Sequence, residues 1–250
     1  MFNPRLSVIT IVYNNVRDIE RTMRSVINQS YTNIEYIVVD GLSNDGTLQV
    51  IEQYKDRIAK LVSEKDEGIY DAMNKGLALA TGDYVIFMNS GDEFYDSETV
   101  ASVFASANDA DIYYGETEMI VDDGTSLGQR RHKAPNKFTW RGFKYGMSIS
   151  HQAIYIKRTL AEPYDRRYQL SSDIDWIIRA AKKAKKIVNV NRYVAKYLVG
   201  GMSKKKHRQS LQERFDIMKR NYGLLPTVFN HFVIAFNLGW YWLKNRRTND

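Results

Sequence analysis

Polar and acidic residues follow a long apolar run in the first half of the chain. Residues 84–88 (YVIFM) are large, apolar and uncharged, and residues 89–93 (NSGDE) come directly after them. Such an uncharged run is typical of a strand that is buried on both faces of a parallel sheet. Mg²⁺ and Mn²⁺ prefer oxygen ligands and often take only one or two carboxylates from the protein. Asp92 is therefore a candidate ligand of a hard cation; the alternative is an ordinary polar turn that contains an acid.

A second group of polar residues ends the first two apolar runs. Thr10, Tyr13 and Asn14 lie at the end of the first run, and Asp40 ends the second. A ligand that spans both ends would meet an aromatic ring, an amide and a carboxylate. These groups suit a nucleobase, because the ring can pack on it and Asp40 can accept a hydrogen bond from its edge. The alternative is that Asp40 caps a turn or a helix.

A third group, Asp66, Asp71 and Asn74, lies in the segment DEGIYDAMNKG (66–76). Residues 71 and 74 share one face of a predicted helix, and Gly68 permits close approach of the backbone to a ligand. These features favour a contact with a ribose or a diphosphate. Alternatively, acids in the first turn of a helix stabilise its dipole.

The elements that must position these residues alternate regularly. Apolar runs and helical spacing predict four strands and the helices between them, at 6–13, 16–28, 35–40, 45–54, 59–63, 70–80 and 84–88. Such alternation requires crossover connections and predicts an α/β fold with a doubly wound, mostly parallel sheet. Ligands bind such sheets outside the carboxyl ends of the strands, where the three groups lie. The pattern loosens after Asp92, with predicted helices at 97–107 and 171–183, strands at 111–121, 127–131, 153–157, 187–190 and 193–199, and a helical C-terminal extension.

Composition bounds the class of protein. The chain has 250 residues, 44% of them hydrophobic, which suits one large domain or one domain with an appendage. It carries 36 Lys and Arg against 29 Asp and Glu, a balance that suits acidic partners. The basic runs lack interleaved aromatic platforms, which argues against nucleic acid as a partner. The absence of cysteine excludes disulfides and thiolate metal sites and allows a cytoplasmic location, and no signal peptide is predicted.

The last predicted helix carries an aromatic stripe at spacings of three and four residues, formed by Phe229, Phe232, Phe236, Trp240 and Leu243. Polar residues interrupt the segment, so it is a poor membrane span. The basic run KNRR (244–247) follows it directly. Together these features favour an interfacial helix that contacts an anionic membrane surface. The alternative is that the stripe packs on the core or in a dimer.

Four segments, taken in order, resemble the motifs of family 2 glycosyltransferases: TIVYNN (10–15), VVDGLSNDGT (38–47), DEGIYDAMNKGLALATGDYVIFMNSGDEF (66–94) and SSDIDWIIRAAKKAKK (171–186). The resemblance implies a GT-A-like domain over residues 1–205, with a nucleotide-binding half (1–95), an acceptor-binding half (96–205) and a C-terminal helical extension (206–250). It also implies a nucleotide-diphosphate-sugar donor, inversion at the anomeric carbon and a divalent cation, Mn²⁺ or Mg²⁺.

Carried over by residue, the resemblance matches Asp40 to the base-binding acid and Asp92 to the last metal-binding acid. Asp173 matches the catalytic base of the family's "ED" pair. The chain departs from the family at two places. It has NSGD where the family often has DSDD or DADD, and Ser172 replaces the first acid of the pair, which leaves a choice between Asp173 and Asp175 as the base. The alternative for Asp173 is an ordinary acid at a helix N-terminus.

The remaining candidates lie in two segments and in the NSGD turn. The resemblance places His151 and Gln152 near the acceptor pocket, and Ser90 and Gly91 at the donor diphosphate. The basic loop GGMSKKKH (200–207) can close over the diphosphate through Ser203 and Lys204, with His207 as a contact or a metal ligand. A solvated run of charge is the alternative for this loop.

The expected function is therefore that of an inverting glycosyltransferase of the bacterial surface-polysaccharide type. UDP is the default nucleotide because Asp40 resembles a uracil contact, although GDP or dTDP would satisfy the same residues. The expected acceptor is a hydroxyl of a saccharide or a lipid-linked molecule, met at the inner face of the plasma membrane. The alternative is a catalytically degenerate protein that binds a nucleotide sugar.

Overall fold

The computed structural model describes residues 2–130, 133–145, 149–200 and 206–246, and these ranges form one nine-stranded sheet with helices on both faces. The strands are β1 (Leu6–Val12), β2 (Ile34–Asp40), β3 (Lys60–Ser63), β4 (Tyr84–Phe87), β5 (Glu93–Phe94), β6 (Ile112–Ile120), β7 (Ser126–Gln129), β8 (Ile154–Lys157) and β9 (Ile187–Leu198). The helices are α1 (Ile19–Ile27), α2 (Thr47–Glu52), α3 (Ile69–Leu79), α4 (Thr99–Ala105), α5 (Ser172–Lys183), α6 (His207–Tyr222) and α7 (Leu224–Arg246).

The first four strands of the sheet, in the order β3-β2-β1-β4, run parallel. Val12 of β1 pairs with Asp40 of β2, so these two strands end at the same level. Every residue of β1 and of β4 is buried, which explains why their sequences are so apolar. The predicted α/β fold with a mostly parallel sheet is confirmed.

The second half of the sheet mixes strand directions. β8 runs antiparallel to both β4 and β6, and β9 runs parallel to β6. β5, which follows β4 in the chain after a short turn, pairs antiparallel with β9 at the far edge of the sheet. The sheet therefore curls, and the turn between β4 and β5 joins its two halves.

The sequence predicts two strands at 187–190 and 193–199, but the structure has one strand, β9. Asn191 takes a positive φ of 53° within it, and its backbone N–H donates to Oδ1 of Asn189 at 2.8 Å. Opposite this kink, a Cβ on Gly115 would lie 2.7 Å from the carbonyl oxygen of Arg192. The asparagines mark a kink that the sheet absorbs, because Asn tolerates the left-handed conformation and glycine gives the backbone room.

Two apolar cores cover the two faces of the sheet. Ile9 belongs to the core under α3 and α5, and its neighbour Val8 belongs to the core under α1 and α4, as the alternation of a strand requires. Trp176 of α5 anchors the first core, with its ring stacked on that of Tyr164 at 4.9 Å. Each face of the sheet is thus fixed by helices, which leaves the strand ends free to carry the site.

The C-terminal helices pack on the same half of the molecule as α5. Ile217 and Met218 of α6 are buried in the core that contains α5. The ring of His231 on α7 lies 5.1 Å from that of Phe215 on α6. None of the described helices is both long and apolar enough to cross a membrane.

Candidate active site

The turn between β4 and β5 presents Asp92 at the end of the parallel half of the sheet. The backbone N–H of Asp92 donates to the carbonyl of Asn89 at 2.9 Å, which closes the turn. Thr22 of α1 clamps it, since its hydroxyl accepts from the Gly91 N–H at 2.8 Å and donates to the Asp92 carbonyl at 2.8 Å. Gly91 has a φ of 104°, a conformation that favours glycine. The position of Asp92 is therefore fixed before any ligand binds.

The carboxylate of Asp92 is only 6% exposed. Gln152 Nε2 donates to its Oδ2 at 3.0 Å, and the backbone N–H of Leu198 donates to its Oδ1 at 3.2 Å. Burial raises the pKa of Asp92 to about 6, although nearby His151 and both hydrogen bonds act in the opposite direction. Because the two hydrogen-bond donors are neutral, the ionised carboxylate keeps a charge that a cation can balance.

Asp173, in the first turn of α5, is joined to the same turn through His151. His151 Nδ1 lies 3.6 Å from Asp173 Oδ2, and its Nε2 lies 3.1 Å from Asn89 Nδ2. The amide nitrogen of Asn89 is a donor, so Nε2 accepts and Nδ1 carries the hydrogen that faces Asp173. Tyr70 of α3 donates to Asp173 Oδ1 at 3.3 Å, and burial raises the pKa of this phenol well above its usual value. Asp173 thus accepts a hydrogen bond from Tyr70 and lies beside the imidazole of His151.

His151 and Gln152 have a structural role that the sequence did not indicate. These neighbours on one short helical turn, His151–Ala153, hold the two carboxylates of the site, His151 beside Asp173 and Gln152 on Asp92. Gln152 is 2% exposed, and its amide nitrogen donates to Asp92. The acceptor contact expected of Gln152 stays a prediction.

Asp175, the alternative base, is fully buried and ion-paired. Arg179 Nε lies 2.7 Å from its Oδ2, and a guanidinium nitrogen of Arg220 on α6 lies 2.8 Å from its Oδ1. Both carboxylate oxygens are therefore engaged by cations, and this residue fastens α5 to α6. Of the two candidates, the structure brings Asp173 to the site and gives Asp175 a structural role.

Asp40, the acid predicted to bind the nucleobase, lies inside the protein. Asp40 is fully buried, and its carboxylate accepts from the Ser43 N–H at 3.1 Å and the Ser63 hydroxyl at 2.6 Å. Protein groups thus enclose this carboxylate, and the nucleobase contact expected of Asp40 stays a prediction. Its carboxylate shapes the loop after β2 and ties it to β3.

Asp66 is the carboxylate that lies beside Tyr13. A Cβ on Gly41 would lie 2.7 Å from Asp66 Oδ2 and 3.2 Å from the Tyr13 ring, so glycine is needed there for both to fit. Tyr13 is 65% exposed, and Lys75 Nζ lies 2.7 Å from Asp66 Oδ1. An open aromatic ring beside a charged pair remains suited to a nucleoside.

Two other predicted nucleotide contacts are internal. Thr10 is fully buried and donates to the carbonyl of Met88 at 2.8 Å, which links β1 to the end of β4. Asn74 exchanges two hydrogen bonds with the backbone of Tyr164, at 3.0 and 2.6 Å. In the described structure the polar atoms of both side chains already form hydrogen bonds with groups far along the chain, and their contacts with a nucleotide stay predictions.

Asp71 borders a cavity of about 230 Å³ lined by residues 67–71, 168–170, Arg166 and Lys206. Its carboxylate accepts from the Glu67 N–H at 3.0 Å and pairs with Arg166 at 3.2 Å. The cavity opens beside Tyr70, which holds Asp173. It is a space of mixed charge next to the candidate base.

Asn14 and Ser90 belong to the strand ends. The backbone N–H of Asn14 donates to Ser43 Oγ at 2.8 Å, and the Asn14 side chain accepts from the Asn44 N–H at 2.9 Å. Asn15, which the sequence reasoning missed, donates to Ser90 Oγ at 2.9 Å and so connects β1 to the Asp92 turn. Ser203 and Lys204 lie outside the described residues, and His207 is described only as the first residue of α6.

The oxygen donors of the NSGD turn decide whether a cation fits. Among the described residues, no group of three His, Cys, Asp or Glu side chains could hold a metal. Asn89 Oδ1, however, is buried and has no hydrogen-bond partner in the described part of the chain. Asp92 with this amide oxygen fits a Mg²⁺- or Mn²⁺-type ion that takes its other ligands from water and a bound phosphate.

Comparisons with known proteins agree on one family. The sequence model of glycosyl transferase family 2 matches residues 7–162. The chain is 34% identical over 185 residues to an uncharacterized glycosyltransferase of Mycobacterium tuberculosis, which covers 71% of this chain and 69% of that protein. It is also 34% identical over 143 residues to the putative teichuronic acid biosynthesis glycosyltransferase TuaG of Bacillus subtilis, covering 56% of each protein.

Solved structures share the fold. Residues 1–349 of S. aureus TarS in complex with UDP superpose with a TM-score of 0.69 at 21% identity, covering 87% of this chain and 65% of that one. The mannosyltransferase PcManGT from Pyrobaculum calidifontis, in complex with GDP-Man and Mn²⁺, gives a TM-score of 0.67 at 19% identity, covering 96% and 73%. The chain thus spans less than two thirds of the TarS fragment and just over half of TuaG.

Proposed function

The chain belongs to glycosyl transferase family 2, and from this we propose that it transfers a sugar, with inversion, from a nucleotide diphosphate to an acceptor hydroxyl. The observation that carries the proposal is the arrangement of two carboxylates. Asp92 ends the parallel half of the sheet and Asp173 begins α5, and adjacent residues of one turn hold both. We propose that Asp92 binds a cation together with the diphosphate and that Asp173 accepts a proton. Residues 1–95 would then bind the donor and residues 96–205 the acceptor.

The donor is proposed to lie across the ends of β1 and β4. The exposed ring of Tyr13 would pack on the base, and the NSGD turn would face the diphosphate. UDP is the nucleotide we favour; the TarS fragment is solved with UDP and the archaeal mannosyltransferase with GDP-Man. When bound at Asp92 and Asn89, a divalent cation would neutralise charge on the leaving diphosphate.

Asp173 is proposed as the general base. The acceptor hydroxyl loses its proton to this carboxylate as its oxygen attacks the anomeric carbon from the face opposite the diphosphate, which inverts that centre. Tyr70 and His151 hold the carboxylate through its two oxygens and keep it oriented. A single displacement needs no second protein nucleophile. Of the two acids in the first turn of α5, Asp175 is paired with two arginines, and Asp173 is the one that contacts Tyr70 and His151.

The acceptor is proposed to be a saccharide or a lipid-linked saccharide of a surface polymer. The name of TuaG, which refers to teichuronic acid biosynthesis, supports this class. The test is a screen of UDP-, GDP- and dTDP-sugars for thermal stabilisation with Mn²⁺, followed by assays of hydrolysis and transfer. Stabilisation without any turnover would instead favour a protein that only binds nucleotide sugars.

Tyr13→Ala is expected to raise the Kd of UDP about 5- to 150-fold, because stacking of a base on an aromatic ring is worth ~1–3 kcal/mol. Tyr13→Phe keeps the ring and should bind UDP as the unchanged protein does. Isothermal titration calorimetry with UDP and Mn²⁺ measures both. An unchanged Kd for Tyr13→Ala would place the base elsewhere.

His151→Gln and His151→Asn form a matched pair for the orientation of Asp173. The Asn amide reaches the position of Nδ1 beside Asp173, whereas the Gln amide reaches that of Nε2 beside Asn89. His151→Gln should therefore lower kcat about 10- to 100-fold, and His151→Asn only a few-fold. The Kd of UDP should stay the same in both variants. Equal losses of kcat, or a weakened donor, would show that His151 does not act through Asp173.

A further inference from the structure

The outer face of α7 is apolar and open to solvent. Leu225, Phe229, Phe232 and Phe236, which we call the α7 stripe, are 82%, 66%, 72% and 71% exposed. Their spacing of four, three and four residues places them within about 60° of one another around the helix. Residues 240 and 243 continue the same spacing as Trp and Leu. An aromatic stripe of this exposure is far from the scattered apolar residues that ordinary surfaces carry.

The opposite face of α7 is anchored to the body of the protein. Thr227 and Asn230 are 1% and 5% exposed, and the ring of His231 packs on Phe215 of α6. In turn, Arg220 of α6 pairs with Asp175 of α5, two residues beyond Asp173. The stripe is therefore held outward by a helix that is connected, through α6, to the helix carrying the candidate base.

The net charge of the segment that carries the α7 stripe indicates the kind of surface that binds it. Residues 201–247 contain ten Lys and Arg against two Asp and Glu, whereas the whole chain has 36 against 29. The excess positive charge of the protein thus lies in the segment that carries the stripe, and the remainder is nearly neutral. Two copies of this segment would repel each other, while an anionic surface would attract it.

We propose that α7 docks on an anionic membrane, with the α7 stripe at the boundary between headgroups and acyl chains. The basic run KNRR (244–247), which follows the stripe in the sequence, would add electrostatic attraction to the anionic lipid. Aromatic residues joined to a basic cluster suit such an interfacial helix, and one buried only to this depth need not span the bilayer. Docking would hold α5 near the surface, where an acceptor with a lipid anchor could reach it. The proposal does not depend on sugar transfer, since membrane binding needs no donor.

Sedimentation of the full chain with vesicles tests the proposal without any nucleotide. We expect binding to vesicles of phosphatidylcholine with phosphatidylglycerol, and weak binding to phosphatidylcholine alone or at high salt. The double variant Phe229→Ser/Phe232→Ser should lower partitioning about 10-fold or more, because two large apolar groups no longer enter the lipid. Leu127→Ser, which removes a 52% exposed apolar residue from β7, is the control and should bind as the unchanged protein does.

A second double variant tests the proposal independently if Phe229→Ser/Phe232→Ser folds poorly. Lys244→Gln/Arg246→Gln leaves the apolar surface intact and should weaken binding to anionic vesicles about 10-fold or more, at roughly five-fold per charge. Anionic-vesicle binding that neither variant weakens would overturn the proposal. So would self-association in solution that Phe229→Ser/Phe232→Ser abolishes while vesicles bind neither protein, since the stripe would then join two copies of the chain.

Discussion

Replacing Asp173 by Asn should lower kcat for sugar transfer about 100- to 10,000-fold and leave the Kd of the donor within about two-fold. The Asn side chain occupies the same space and can still contact Tyr70 and His151, but it cannot take the proton of the acceptor hydroxyl. Donor binding should persist because Asp173 lies on α5, whereas Asp92 lies in the turn after β4 and Tyr13 follows β1. Transfer of labelled sugar gives kcat, and calorimetry with UDP and Mn²⁺ gives the Kd.

Asp175→Asn is the matched control, since it makes the same change two residues away. It should leave kcat nearly unchanged and lower the free energy of unfolding by about 2 kcal/mol, because it removes the buried charge that two partly exposed arginines, Arg179 and Arg220, pair with. A loss of donor binding that parallels the loss of kcat in Asp173→Asn would remove the base assignment. A comparable fall in kcat for Asp175→Asn would transfer that assignment to Asp175.

Asp92→Asn is expected to abolish activity and to make the protein more stable at alkaline pH. Burial raises the pKa of Asp92 to about 6, above its value of roughly 4 in an unfolded chain. The folded state therefore holds this proton more tightly than the unfolded state, so stability falls as pH rises from about 4 to about 6. Above that range the buried charge costs up to about 3 kcal/mol. Because Asn carries no charge, the stability of Asp92→Asn should not fall in this way as the pH rises.

The Tm of Asp92→Asn should thus exceed that of the unchanged protein at pH 8 and differ little at pH 4, both measured without divalent ions. The Gln152 amide can rotate to present its oxygen to the new NH₂ group, which preserves the local hydrogen bonds. Activity should fall by about 100-fold or more, because the cation loses its carboxylate. A lower Tm at pH 8 would show that the carboxylate is structural and would count against a cation at this position.

The sequence predicts those features whose signal lies in neighbouring residues. Asp92 follows a buried strand, so its position could be predicted from neighbouring residues alone. The parallel half of the sheet followed from the same alternation of strands and helices. In each case the signal lies within a few residues of the feature that it predicts.

Partners distant in the chain decided the rest. Asp40 is enclosed by Ser63 from β3, and Asn74 is engaged by Tyr164, 90 residues further on. Likewise, Gln152 meets Asp92 across 60 residues. From the sequence alone, such a polar side chain is a candidate for a ligand contact. The tertiary structure shows whether a backbone group or a carboxylate from a distant part of the chain already forms a hydrogen bond with it.

The turn that joins β4 to β5 also limits how this enzyme can vary. Phe94 is buried and pairs in register with Ala195 of β9, while Glu93 beside it points to the opposite side. One inserted residue between β4 and β5 would exchange these two side chains, placing a carboxylate in the core and a phenyl ring where Glu93 pairs with Arg21. An insertion in this turn is therefore expected to be costly, whereas substitutions at constant length leave the pairing of β5 with β9 in register.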